Sequence, residues 1–550
     1  MAAQKKLTDP VLQRAAKAWE RRGQWNAVLS DTYRYCLPGG DPDNTRVEGQ
    51  KTDVETYDST GVRALRKRQS RMHGQLYPPF QQVWEFEFDG MPLDNITDED
   101  AREQARAILA RNAEKVFWAV TNSNFHLEMV QAERDALVST GCIAVNKGDP
   151  DRRPLVFEAL PIGQYAPEES PITGALEDVF RKRKPKRRDV EVLWPAADFS
   201  GVTDWEKKLK DDPDGEVEVT EAQIFDAKAA TWKYLVYLNE GEHKVFEHTF
   251  NSKRIIPFRL EKFTGETLGR GPAMACRADM ATANKVKELV LKNASIDVVG
   301  IWQADDDGVL NPANIKLVPG TIIPKAVGSN GLQPVRMPGR MDVSQIVLAD
   351  LEKTITETIE GPPLPGFDQD RPVAYAFLSA ERDRAAVEVP EHLRMFFELD
   401  YYLVRAIVDI LSSPSFDGSP YKLETFTVSG AELKPVPSNP LIALQRQAEA
   451  KARAQALSEV SMVAPEETKA EVKIGAWVRD HLIEAGFPDS LLYSPEEKQL
   501  EAKRQQALQQ AFAAGVQQGV AMSAKMAKTD AGTELLGQAG AEMGGTDAAA

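Results

Sequence analysis

Residues 270–299 read RGPAMACRADMATANKVKELVLKNASIDVV, and residues 342–360 read DVSQIVLADLEKTITETIE. The first stretch opens on Gly271-Pro272, a helix-start signal, and continues for about 25 residues without a breaker, roughly 37 Å at the α-helical rise. In the second, Asp342 stands in the capping position and Val343, Val347, Leu351, Ile355 and Ile359 recur at i+4. The intervening sequence, with Asp305-Asp306-Asp307-Gly308 and many Gly and Pro residues, forbids long helices. Two long helices flanking a small β/turn module are expected.

Toward the N-terminus, Asp9-Pro10 predicts a helix to about Tyr35, with Leu12, Ala15, Ala16 and Trp19 at helical spacing. A second helix follows a polar loop, with apolar Val62, Leu65, Met72 and Leu76 opposite basic Arg63, Arg66, Lys67 and Arg71; Pro78-Pro79 ends it. That basic face reads as solvated or as an inter-subunit salt-bridge surface. Residues 83–88 alternate as a half-buried strand, and helices resume from Thr97 to Gly141. Between Cys142 and Pro257 short β-type runs, among them DVEVLWP (189–195), are separated by Gly, Pro and Asp. Trp19, Trp25, Trp84 and Trp118 fall at apolar positions and are expected in the core.

Toward the C-terminus, residues 361–376, GPPLPGFDQDRPVAYA, interrupt two helices, and residues 378–412 read as helix again. Helical sequence dominates beyond Pro440, including a Ser-x-x-Glu capping box at Ser494, and the final two dozen residues carry no periodicity, as in a disordered tail. The fold class is α+β, mainly helical.

The chain has 550 residues, too many for one hydrophobic core. Its net charge of −16 makes the average surface repel phosphate, so any DNA contact must be local. Cys36, Cys142 and Cys276 are too far apart in sequence for a metal knuckle or a disulfide framework, and a reducing compartment is expected. Neither a signal peptide nor a membrane span is expected.

Catalytic motifs are missing from the sequence. No GxxxxGK[ST] loop, GxSxG elbow, HExxH or GxGxxG occurs, which argues against an NTPase; a nuclease would need a carboxylate cluster at metal spacing. Asp305–Gly308 only loosely matches a calcium loop, since Gln303 and Asn314 fill its first and last ligand positions. His243, Glu247 and His248 could share a metal, but regular strand alternation would turn the two histidines to opposite faces. No catalytic residue, metal or cofactor is assigned. The densest charge is RKRKPKRR: Arg181, Lys182, Arg183, Lys184, Lys186, Arg187 and Arg188 around Pro185. It is expected to be extended, with cations that need acidic partners outside the chain, or to be a solvated loop or strand edge.

Several strings, in order, resemble the portal (head-to-tail connector) proteins of tailed bacteriophages, in particular the short-tailed type: AWERRGQWNAVLSDTYRYCLP, LYPPFQQVWEFEF, SNFHLEMVQAERDALVSTGCIAV, GRGPAMACRADMATANKVKELV with VPGTIIP, NPLIALQRQAEAKARAQAL, and AGFPDSLLYSPEEKQLEAKRQQ. One departure is Leu378-Ser379-Ala380-Glu381-Arg382, where a Thr-Ala-Thr-Glu-Val-like helix start belongs.

The resemblance implies a wing (1–257, β-rich at 142–257), a first stem helix region (258–296), a clip (297–341), a second stem helix (342–360), a tunnel loop (361–376, with Pro363, Phe367, Asp368, Asp370 and Arg371), a long wing helix (377–412), a helical crown or barrel (413–526) and a tail (527–550). It implies a non-enzymatic dodecamer at one capsid vertex of the virion, made in the host cytoplasm. The implied partners are the terminase large subunit, tail adaptor or nozzle proteins, and the major capsid and scaffold proteins. Double-stranded DNA would pass through a channel lined by Asp350, Glu352, Glu357 and Glu360. The alternatives are a tail or adaptor protein without a DNA path and, further off, a phage nuclease or NTPase.

Overall fold

The computed structural model describes residues 9–43, 55–80, 82–88, 99–202, 204–239, 242–299, 302–303, 333–334, 341–361, 388–428, 431–433, 435–437, 457–458 and 478. The chain divides into two units, Met1–Pro440 and Leu441–Ala550. In the second, residues 457, 458 and 478 are helical, and the expected capping box at Ser494 and the tail lie outside the described residues. The first unit mixes helix and sheet.

It opens with two helices, α1 (Pro10–Gly23) and α2 (Asn26–Cys36), where one was expected. Asp9 caps α1 through Val11 N–H at 2.7 Å, as its position implies. The break follows Gly23, a weak helix former. There the last turn tightens, Gln24 and Trp25 N–H reaching back only three residues to Arg21 and Arg22 carbonyls. Helix α3 (Thr60–Leu76) ends before Pro78, and α4 (Glu99–Thr121) and α5 (Phe125–Val138) meet at a turn. Asn124 there exchanges two hydrogen bonds with the Phe157 main chain, at 2.8 and 2.9 Å. The strand expected over 83–88 is confined to β1 (Phe86–Phe88).

Two antiparallel sheets follow. β2 (Thr140–Asp149) is flanked by β3 (Arg153–Ala159) and, from further along, β9 (Ile255–Arg259). Between them the chain makes a five-stranded meander: β4 (Tyr165–Glu169), β5 (Leu176–Arg183), β6 (Val219–Asp226), β7 (Thr231–Leu238) and β8 (His243–Phe250), with β4 and β8 at its edges. DVEVLWP, expected as a strand, is mostly in the short helix α6 (Arg187–Leu193). Only Val190 of its valines is buried, while Val192 is 76% exposed, a one-sided pattern that one helical turn satisfies and a strand in this sheet would not. Helix α7 (Trp205–Asp211) follows, with Trp205 stacked on Phe199 at 4.6 Å.

Helices α8 (Pro272–Ala275) and α9 (Arg277–Val299) divide the single helix expected after Pro272 at Cys276, and α10 (Met341–Glu360) returns. Trp302–Gln303 pairs antiparallel with Gln333–Pro334; the rest of 300–340, including Asp305–Gly308, lies outside the described residues. Residues 388–411 form one more helix, widened to π geometry at Phe396–Asp400. The main core joins α2–α5, β2, β3, β9, the end of α10 and this helix, around Leu65, Met72, Phe125, Ile143, Phe258, Ile359 and Leu403. Trp84 is buried and Trp19 and Trp25 are partly so, but Trp118, expected inside, is 49% exposed.

Gly271 is required by close approach: a Cβ there would lie 2.0 Å from the Leu137 carbonyl oxygen, where the chain crosses the end of α5 and donates to Val138 O at 3.1 Å.

Candidate functional site: the helix pair and the basic run

Helix α10 packs against both α3 and α9. The i+4 stripe divides along its length: Ile355 and Ile359 are buried, whereas Val347 is 44% and the neighbouring Ile346 is 70% exposed. On α9, Leu289 and Leu291 are each about half exposed. Asp342 lies within α10, whose range begins at Met341.

The four acidic residues expected to line a channel fall into different settings. Asp350 is exposed, and Glu357 is 3.8 Å from Lys353. Glu352 is engaged by Lys287 at 3.3 Å. That lysine also reaches Asp58 at 3.1 Å, and although burial opposes its charge, these carboxylates hold its pKa above the ordinary value. Glu360 is buried against α3, 2.6 Å from Lys67. A carboxylate covered by its own fold presents no charge to a bore, so Glu360 is removed from that set.

Of the basic face of α3, Arg63, Arg66 and Lys67 are exposed, in keeping with the solvated reading, whereas Arg71 is met within the chain. Arg71 donates to the Glu360 carbonyl at 2.5 Å and to Glu388 at 2.8 Å; Arg68, itself buried, pairs with Glu388 and, at 2.7 Å, with Glu391. One helix thereby holds the chain at both Glu360 and Glu388. Pro363, Phe367, Asp368, Asp370 and Arg371, between these anchors, lie outside the described residues.

The run 181–188 is extended only in part. Arg181, Lys182 and Arg183 end β5, and Arg187 and Arg188 begin α6 beyond the Lys184-Pro185-Lys186 link, where extended Lys186 bridges Glu216. Most of its cations find partners inside the chain, which corrects the expectation that they need another molecule. Arg181 is 4% exposed and pairs with Glu158 and, 3.8 Å away, with Glu221 directly across the ladder. Burial works against its charge, but Glu221 and then Glu158 raise its pKa; burial likewise opposes ionisation of Glu158, and Arg181 prevails in lowering it. Arg183 reaches Glu221 at 3.4 Å, Lys184 reaches Glu218 at 3.6 Å, Arg187 bonds Asp212 at 2.8 Å and Arg188 bonds Asp214 at 2.9 Å. Lys182 lies over the Trp19 ring at 4.8 Å. The missed signal was the acidic alternation of GEVEVTE at 215–221, which supplies the partner strand.

A β-bulge corrects the metal argument. His243 faces Leu238 and His248 faces Tyr234, so the register shift brings both histidines to one side of the sheet. Among the described residues no group of three or more His, Cys, Asp or Glu could hold a metal, and no helix is long and apolar enough to cross a membrane.

The family model for the bacteriophage head to tail connecting protein matches residues 8–359, from α1 through the two long helices. The chain belongs to that family. No curated protein matches this connector-family chain. Among solved structures it is similar to a chain of the virion of a native gene transfer agent particle, at 13% identity and TM-score 0.32 over 82% of this chain and 98% of that one. A chain from the neck of an empty gene transfer agent particle matches at 12% identity and TM-score 0.30, over 72% and 86%.

Proposed function

We propose that this connector is a portal protein of the short-tailed type, a closed ring, dodecameric, at one capsid vertex, through which double-stranded DNA is packaged and ejected. The observation that carries the reading is the membership of the connecting-protein family together with the α9/α10 pair, whose Leu289, Leu291, Ile346 and Val347 remain exposed within one chain. Such apolar side chains on helices are satisfied by lateral neighbours, and ring closure supplies the same neighbour to every copy. In this reading 1–257 and 377–412 form the wing, 258–296 and 342–360 the stem, 297–341 the clip, 361–376 the tunnel loop and 413–526 the crown.

Terminase, tail adaptor, capsid and scaffold proteins dock on that ring, and the protein hydrolyses no nucleotide itself. A net charge of −16 suits a conduit, because a bore that neutralised phosphates would gain counterion-release free energy at each contact and hold the DNA. Asp350, Glu352 and Glu357 are the carboxylates of the expected set left for that lining. Native mass spectrometry and negative-stain imaging of the purified chain test the proposal: rings with a central hole are expected. A stable 60.9 kDa monomer at micromolar concentration would overturn it; rings without an open channel would favour an adaptor.

A further inference from the structure

Where α3 meets α5, three ionisable side chains form one hydrogen-bonded chain, apart from both the helix pair and the basic run. Glu133, fully buried, meets Gln69 Nε2–H at 2.8 Å with one carboxylate oxygen and His73 Nδ1 at 3.0 Å with the other, and His73 Nε2 faces His126 Nδ1 at 3.0 Å. His73 is buried and His126 half-buried. The chain lies within the main core: the His73 ring is 5.9 Å from Tyr77, and Phe125, next to His126 at the start of α5, packs edge-on against Tyr77, Trp84 and Phe157.

Such a chain has room for few protons. Only one fits between the two facing ring nitrogens, and a proton on His73 Nδ1 serves Glu133. The two rings can therefore be neutral together, or carry one positive charge beside the Glu133 carboxylate, with the bond between them intact. A second charge sets N–H against N–H and two cations over one carboxylate. The surrounding groups do not offset it. Gln69 is neutral, Tyr77 gives its hydroxyl to Asp400 at 2.7 Å, Arg68 and Arg71 turn to Glu388, and Arg134 adds another cation near Glu133. The small cavity beside His126, lined by Pro78, Phe80, Val83, Trp84 and Phe117 among others, has no carboxylate among its described lining residues. Burial, and then the neighbouring His73, accordingly lower the pKa of His126 from its ordinary 6.5. We propose that His73, His126 and Glu133 are a proton-operated latch between α3 and α5, which stays shut with one positive charge on the two rings and parts at the start of α5 when mildly acidic surroundings supply the second.

A folded-state pKa below 6.5 gives stability that is present above pH 6.5 and lost as pH falls through the lower folded value. The test compares the full chain with His126→Asn, which keeps an amide near the position of Nδ1 and cannot take the proton, by urea unfolding from pH 5 to 8 at one protein concentration. Below pH 6.5 the folding equilibrium constant of the unsubstituted chain should fall relative to the variant by up to about tenfold per pH unit. Glu133, Asp135, Asp400 and His392, which burial also shifts, titrate in both chains and cancel in the comparison. Amide hydrogen exchange, corrected for its intrinsic pH dependence, should show Phe125–Val138 less protected at pH 5.5 than at 7.5 in the unsubstituted chain and unchanged in the variant. A constant offset between the two stability profiles, or equal protection at both pH values, would mean a hydrogen bond without a switch and overturns the latch. Deuterium exchange at the imidazole carbon reads His126 directly in the unsubstituted chain, whatever the variant does: a midpoint below 6.5 is expected, and one at or above 6.5 overturns the proposal as well.

Discussion

Replacing Arg259 by methionine tests how the sheets are fastened to the helix at 388–411. Arg259 is fully buried and Glu398 is 5% exposed; the guanidinium meets the carboxylate through Nε at 3.1 Å and Nη2 at 2.6 Å, and the Arg259 N–H adds a bond at 2.9 Å. Its remaining donors satisfy the Thr267 and Gly174 carbonyls, each at 2.9 Å. Arg259→Met strips Glu398 of its main counter-charge, leaving Arg394 at 3.4 Å. Breaking one side of a buried pair costs about 3–5 kcal/mol, against a total of about 5–15 for a domain. The double variant Arg259→Met with Glu398→Leu removes the stranded charge and leaves chiefly the two carbonyls unpaired, about 1–3 kcal/mol. It should therefore be more stable than the single variant. Urea unfolding followed by tryptophan fluorescence, at one fixed protein concentration because assembly adds stability by mass action, measures both. A single variant within about 1 kcal/mol of the wild type, or a double variant no better than the single, would refute the reasoning.

Burial pushes Asp400 up to about 7 against the opposing hydrogen bond from Tyr77 at 2.7 Å. A folded-state pKa above the ordinary 3.8 gives stability that is present at low pH and lost as pH rises through about 7. Asp400→Asn should therefore melt higher than wild type at pH 8 and about equally at pH 4. In the basic run, Arg181→Ala should destabilise the fold by about 1–3 kcal/mol, because buried Glu221 loses one counter-charge but keeps Arg183 at 3.4 Å, whereas Arg188→Ala at the exposed Asp214 pair should leave the urea midpoint unchanged. All three cysteines are buried and burial raises each thiol, Cys276 to about 12, so native protein should resist a thiol reagent at pH 7.5 and react fully only in denaturant. Gly271→Ala should lower the melting temperature by several degrees, since the added methyl meets the Leu137 carbonyl; an unchanged melt would show that the crossing can relax.

Local patterns were the legible ones. The apolar period of α3 and α10 and the Asp9-Pro10 start are set by near neighbours, so they can be read from the chain. What escaped depends on residues far apart in sequence. The Arg181–Glu221 pair exists only through the β5–β6 register, and Arg259–Glu398 only because β9 packs on a helix whose π-turn brings both Glu398 and Asp400 inside. The bulge that realigns His243 and His248 is likewise a property of pairing, not of either strand alone. Charge density misled for the same reason: RKRKPKRR looked like a patch because its carboxylates lie on other segments, at Glu158 and between Asp212 and Glu221.

The clamp that α3 makes on Glu360 and Glu388 sets how freely the intervening sequence can vary. Lys67, Arg68 and Arg71 hold Glu360 and Glu388 at one place on α3, so the ends of the intervening sequence are fixed whatever its number of residues. Doubling the length of a closed stretch adds only about 0.6 kcal/mol of closure entropy. Insertions there should thus leave the melting temperature of the chain nearly unchanged, while one substitution at Arg71 disturbs both ends at once. The length of that stretch is therefore a freedom of the chain, while the cations of α3 that hold its two ends are not.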